Sequence, residues 1–243
     1  MTNVVSSTQR SAPVRLAITG TDTGVGKTVV ACALTARAHA RGLRVAPMKP
    51  VESGVAADDV TSDAYLLKRA AGDTHDVLLV RPYLLAEPLA PMVAATRANR
   101  AIDISVLDDA RAALESESEL LVVEGAGGLL VPITADCSYA TLFARWQCDV
   151  VIVAANRLGV INHTLLTVQA ARAAGLTVRG VVLTPCQPLA SGVAESTNLA
   201  ALRELSTDIP FFEFPWVEAT GDMSRLAAAA EAAGLDPLLS LPT

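Results

Sequence analysis

The sequence predicts an α/β fold: a single domain built on a doubly wound, mostly parallel sheet with helices on both faces. Three observations carry this. Short β-branched runs alternate along the chain with Ala- and Leu-rich helical stretches, the pattern of successive βαβ units. The strand candidates are nearly continuous apolar runs, as expected where helices cover both faces of a parallel sheet. Glycines, lysines and carboxylates gather just after these runs, at the carboxyl edge where such sheets collect ligands. The chain has 243 residues and no internal repeat, low-complexity linker or composition break, which suits one domain. Residues 14–243 are assigned to it and residues 1–13 to a flexible N-terminal segment.

In chain order, strands are expected at 14–19, 44–48, 120–124, 150–154 and 177–183, with a shorter one near 211–214. Helical patterns fall at 27–41, 62–71, 105–115, 140–147, 161–174, 193–205 and 223–233. Apolar residues make up 51% of the chain but aromatics only 4%, so the interior is expected to be Ala, Val and Leu. A net charge of −6 argues against a basic surface that grips nucleic acid or an anionic membrane. Residues 1–13 lack the apolar region of a signal peptide, and no apolar run approaches the roughly 18 residues of a membrane span. A cytoplasmic protein is expected. Cys32, Cys137, Cys148 and Cys186 show no C-x-x-C spacing and read as reduced thiols. His39, His75 and His163 are equally dispersed and give a zinc site no support.

The first strand runs into Gly20-Thr21-Asp22-Thr23-Gly24-Val25-Gly26-Lys27-Thr28, and a helix follows. This is a phosphate loop in its required setting. Glycines let backbone N–H groups turn inward around phosphate oxygens, and the helix N-terminus adds favourable partial charge. Lys27 can reach the β- and γ-phosphates of a nucleoside triphosphate, and the Thr28 hydroxyl can ligate Mg²⁺. The fold class is therefore a P-loop NTPase domain. Five residues separate Gly20 from Gly26, one more than the strict G-x-x-x-x-G-K-[ST] motif allows.

The second strand ends in Met48-Lys49-Pro50-Val51-Glu52-Ser53-Gly54. A lysine where a central parallel strand meets the crevice is unusual, and the adjoining proline and Ser-Gly turn favour a shaped pocket. The strand at 120–124 ends on Glu124, followed by Gly125-Ala126-Gly127-Gly128. A carboxylate in that place reaches the metal of a nucleotide site directly or through water. Asp58, Asp59 and Asp63 lie before or at the start of a helix. Capping and charge balance account for at least two of them, and one can serve as a metal ligand; periodicity does not choose which.

Together and in this order, these segments resemble dethiobiotin synthetase. The matching pieces are the loop from Gly20 to Thr28, Lys49-Pro50-Val51-Glu52-Ser53-Gly54, Ala86-Glu87-Pro88-Leu89-Ala90-Pro91, Val123-Glu124-Gly125-Ala126-Gly127-Gly128, Leu158-Gly159-Val160-Ile161-Asn162-His163 and Pro215-Trp216. The longer loop is itself that family's form. The resemblance implies an ATP- and Mg²⁺-dependent joining of 7,8-diaminononanoate and CO₂ into dethiobiotin, by a homodimer with a site shared across its interface. It implies catalytic roles for Lys49 and Lys27, and Mg²⁺ ligation by Thr28, Asp63 and Glu124. Nucleotide contacts would come from Gly24, Val25, Gly26, Lys27, Thr28, Val29, Asp63, Glu124, Gly125, Ala126, Gly127, Thr184, Pro185, Pro215, Trp216, Val217 and Asp222. Substrate contacts would come from Thr23, Ser53, Gly128, Gly159, Val160, Ile161 and Asn162.

One departure concerns the base. Family members often carry an Asn where this chain has Thr184-Pro185, so weak base selectivity is expected. The competing reading is a dimeric P-loop switch ATPase of the partition or division-site type. Those loops usually carry a lysine where Asp22 stands, and their membrane-binding members end in a basic amphipathic helix. Residues 225–243 hold one basic residue.

Overall fold

The computed structural model describes residues 13–188 and 192–241. All but the last residue of the expected N-terminal segment lies outside them. Six strands form one all-parallel sheet in the order β2-β5-β1-β6-β7-β8. They are β1 Val14–Gly20, β2 Val45–Met48, β5 Leu120–Gly128, β6 Asp149–Asn156, β7 Val178–Pro185 and β8 Phe211–Glu213. Every expected strand is present. Two further short strands, β3 Val51–Ser53 and β4 Tyr83–Leu85, pair in parallel beside the main sheet. Three-residue strands are too short to show a period, so the sequence pattern does not reveal them.

Nine α-helices cover the described sheet: α1 Lys27–Ala40, α2 Asp63–Ala70, α3 Val77–Val80, α4 Pro91–Arg97, α5 Ile104–Glu115, α6 Tyr139–Arg145, α7 Val160–Ala173, α8 Val193–Leu205 and α9 Met223–Ala232. The seven expected helices appear within two residues of their predicted ends. α3 and α4 were not expected; the first is one turn long, and the second begins at Pro91, which reads as part of a loop.

Neighbouring residues of one strand feed opposite cores. Leu121 and Val123 of β5 join the cluster under α5, α6 and α7, whereas Leu120 and Val122 join the one under α1 and α9. Val150 and Ile152 of β6 divide from Val151 and Val153 in the same way. This is why the strands read as unbroken apolar runs. Each such side chain contributes about 1.5–3 kcal/mol on burial.

Register then positions the site. Ile18 lies opposite Glu124 and Met48 opposite Val123. The end of β1, Glu124 and Lys49 therefore come level at the carboxyl edge. On the other side, Ala155 lies opposite Thr184, and Leu183 opposite Glu213.

Candidate active site

The phosphate loop closes on Gly26, which caps α1 with φ +86°. A Cβ there would be strained by that angle and would stand 3.1 Å from the Thr184 methyl. Lys27 is buried and donates to the Asp22 carbonyl at 2.9 Å, so it spans the loop's mouth. Burial holds its ammonium below the ordinary lysine range; Glu124 opposes this and Lys49 adds to it.

Lys49 is placed differently. Its Nζ donates to Asp63 Oδ2 at 2.6 Å and to Glu124 Oε1 at 2.7 Å, with the Gly125 carbonyl at 3.4 Å. Burial disfavours its charge, but Glu124 and then Asp63 outweigh that and hold it firmly cationic. Burial lifts the Glu124 carboxyl above its usual range, with Lys49 pulling it back. Burial acts on Asp63 too, but there Lys49 prevails and the carboxyl is held low.

The Thr28 hydroxyl lies 2.9 Å from both Asp63 Oδ1 and Glu124 Oε1. One hydroxyl hydrogen cannot serve two acceptors at once. Glu124 Oε2, also buried, finds no partner among the described residues. The cluster thus has more oxygen acceptors than donors. Two carboxylates and a hydroxyl are a donor set that suits a hard divalent cation completed by water and phosphate oxygens. Of the three aspartates near α2, only Asp63 reaches this cluster; Asp59 instead takes the Thr61 N–H and hydroxyl in a local turn.

A cleft of about 610 Å³ opens over the cluster. Its walls carry Thr23, Lys27, Thr28, Lys49, Ser53, Asp63, Glu124, Ala126 and Gly127, and its roof is the 88–91 segment. Ser53 donates to the Leu89 carbonyl at 2.9 Å, and Gly54, at φ +81°, presses on Pro88. The K-P-V-E-S-G and A-E-P-L-A-P segments are thus one wall and its roof. Gly128 lies just outside the lining.

A second cavity of about 480 Å³ adjoins the first across the loop, the two sharing Thr23, Gly24, Gly26 and Val29. Val25, Thr184, Pro185, Pro215, Trp216 and Val217, all read from the sequence as nucleotide contacts, line it. Two expectations change here. The Thr184 hydroxyl donates its hydrogen to the Val25 carbonyl at 2.7 Å, tying β7 to the loop and leaving only its lone pairs toward a ligand. Asp222 does not line the cavity; its carboxylate caps α9, accepting from the Ser224 and Arg225 N–H groups. Arg157, Cys186, Glu218 and Thr220 line the cavity without having been singled out. Arg157 follows β6 directly, and the strand-end rule would have found it. Gly159, Val160, Ile161 and Asn162 begin α7 outside both cavities, with Val160 buried and Asn162 exposed.

A family model described as an AAA domain matches residues 14–222. Proteins named ATP-dependent dethiobiotin synthetase BioD are similar along most of the chain. That of Anaeromyxobacter dehalogenans (strain 2CP-C) is 42% identical over 88% of this chain and 94% of its own. That of Anaeromyxobacter sp. (strain Fw109-5) is 48% identical over 69% and 75%. The synthetase named BioD 1 of Escherichia coli O157:H7 is 36% identical over 88% and 98%. Among solved structures, a protein assigned to plasmid partition in Borrelia burgdorferi B31, bound to AMPPNP, aligns with TM-score 0.57 over 94% of this chain and 99% of its own. At 14% identity that likeness shows the shared fold.

Proposed function

The chain belongs to the ATP-dependent dethiobiotin synthetases, cyclo-ligases of biotin biosynthesis, and from that premise we propose that it joins 7,8-diaminononanoate and CO₂ at the expense of ATP and with Mg²⁺. The observation that carries the reading is continuity. The Lys49–Thr28–Asp63–Glu124 cluster lies in one cleft with Ser53, and that cleft meets the second cavity across the phosphate loop. A triphosphate stretched over the loop would bring its γ-phosphate to Lys27 and Lys49 and its base to the 184–186 and 214–217 segments.

In this reading one amine of the diamine adds to CO₂ and loses a proton, leaving a carbamate anion. Lys49, kept cationic by its carboxylates, is the group that meets that anion and the γ-phosphate. A carbamate oxygen attacks the γ-phosphorus, ADP leaves, and a carbamic–phosphoric anhydride remains. The second amine then attacks the carbonyl carbon and loses its proton as phosphate departs and the ureido ring closes. No step needs a protein nucleophile, so the chain contributes position and charge. Thr28, Asp63 and Glu124 would hold Mg²⁺, which neutralises phosphate charge when bound. With the carboxylates shared in that way, the Lys49 ammonium would be free to turn toward the anions in the cleft.

We further propose a homodimer in which Gly159, Val160, Ile161 and Asn162 of one protomer close the diamine site of the other. Their place outside both cavities of their own chain supports this, as does the 87% exposure of the adjoining Leu158. No described helix is long and apolar enough to cross a membrane, in keeping with the proposed cytoplasmic location.

The test is isotopic. With ¹³C-bicarbonate, ATP and the diamine, the label should enter the ureido carbon of dethiobiotin. Phosphate release without labelled product would refute the reading.

A further inference from the structure

Glu52 and Arg81 form an ion pair at 2.7 Å with both side chains buried, at 3% and 5% exposure. Neither has a role in the chemistry above. A buried pair is weak support for stability, since well-packed apolar groups often serve as well. Its contacts suggest another use. Glu52 Oε1 accepts the N–H of Ala64, the residue after Asp63, at 3.2 Å. Arg81 donates to the Ser62 hydroxyl, on the residue before Asp63, at 3.3 Å, and to the Ala57 carbonyl at 3.1 Å. The chain is therefore held on both sides of Asp63, at the Ala64 N–H by Glu52 and at the Ser62 side chain by Arg81. The same pair reaches Lys49 through the chain: Glu52 stands three residues beyond it, and the Lys49 N–H donates at 2.7 Å to Val80, the neighbour of Arg81.

We propose that Glu52 and Arg81 are positioning residues that hold Asp63 against Thr28 and Lys49, and so set the affinity of the site for a divalent cation. This rests on the reading of Thr28, Asp63 and Glu124 as Mg²⁺ ligands. Partners behind a ligating carboxylate fix its orientation, and their loss commonly weakens metal binding without removing a ligand. Among the described residues no hydrogen bond or ion pair joins Glu52 or Arg81 to the phosphate loop, although Glu52 borders the same cleft, so nucleotide affinity without metal is expected to be independent of the pair.

The experiment uses the full chain with Mn²⁺ as probe, free Mn²⁺ being read by electron paramagnetic resonance in the presence of AMPPNP. AMPPNP binding in EDTA and the melting temperature are measured alongside. Glu52→Gln should weaken Mn²⁺ binding by roughly 10–100-fold, leave AMPPNP binding in EDTA unchanged, and be accompanied by a milder defect in Arg81→Lys. A folded Glu52→Gln with parental Mn²⁺ affinity overturns the proposal, whatever its melting temperature. If Glu52→Gln does not fold, the neutral pair Glu52→Gln/Arg81→Met, which leaves no charge unpaired, decides by the same readout. Asp63→Asn separates the two levels. If it weakens Mn²⁺ binding and the pair variants do not, only the positioning role fails; if it leaves Mn²⁺ binding intact, the metal assignment and this inference fall together.

Discussion

Thr28, Lys49, Asp63 and Glu124 crowd one end of the ligand trough with charged and polar groups 2.6–2.9 Å apart. The other end offers Pro185, Pro215, a 44% exposed Trp216 and a Thr184 hydroxyl already spent on the loop. The first end is built from side-chain charge, with Lys49 and Glu124 buried, where such charge acts strongly. The second is mostly backbone, proline and ring, with Arg157 and Glu218 as its charged side chains. Under the proposed function, the contrast predicts a protein that specifies its chemistry more tightly than its base.

The largest effect should come from breaking the charged end. Lys49→Met is expected to cut dethiobiotin formation by roughly 10³-fold, the scale of losing a charge-stabilising donor, while nucleotide binding persists. Removing one partner of a buried pair costs about 3–5 kcal/mol, so melting is followed in parallel, at Mg²⁺ concentrations that keep the variant folded. Ring formation at the parental rate would take Lys49 out of the mechanism.

Glu124→Gln comes next. An amide ligates a hard cation less well than a carboxylate, so the Mg²⁺ concentration for half-maximal turnover should rise roughly 10-fold or more. A superimposable Mg²⁺ titration would make Glu124 structural.

The base end should yield smaller differences. CTP, GTP and UTP are expected to support turnover within about one to two orders of magnitude of ATP in kcat/KM, because discrimination of 10⁴ or more needs a buried polar edge that a wrong base leaves unpaired. A preference for ATP beyond a thousandfold would mean that backbone groups at 185–186 and 214–217 read the base, and would erase the contrast between the two ends. The smallest effect is expected at Asp222. Asp222→Ala should lower the melting temperature slightly by uncapping α9 and leave the KM for ATP unchanged; a raised KM would return Asp222 to the nucleotide site.

The same contrast explains what was legible in the sequence. Lys27 and Thr28 stand out because they close a glycine loop at the start of a helix, Lys49 and Glu124 because a charged residue at the end of a buried strand is unusual, and parallel register brings such strand ends level. Asp63 could not be told from Asp58 and Asp59, since helix-start acids cap and ligate with the same side chain; only the fold of residues 53–63 brings one of them to Thr28. Glu52 was hidden for a different reason. Its partner is 29 residues away on a segment whose short strand and one-turn helix leave no periodic trace. Asp222 was placed correctly along the chain, but its hydrogen bonds, invisible in sequence, commit it to capping α9, while that of Thr184 ties its hydroxyl hydrogen to the loop.

The central claim is that ATP is consumed to build a ring rather than to drive a conformational cycle. Its most direct test is ADP release by the parent protein as diamine and bicarbonate are supplied singly and together. The account predicts ADP only when both are present, in one-to-one yield with dethiobiotin. Steady ADP release without the diamine, as a switch ATPase would give, would contradict it.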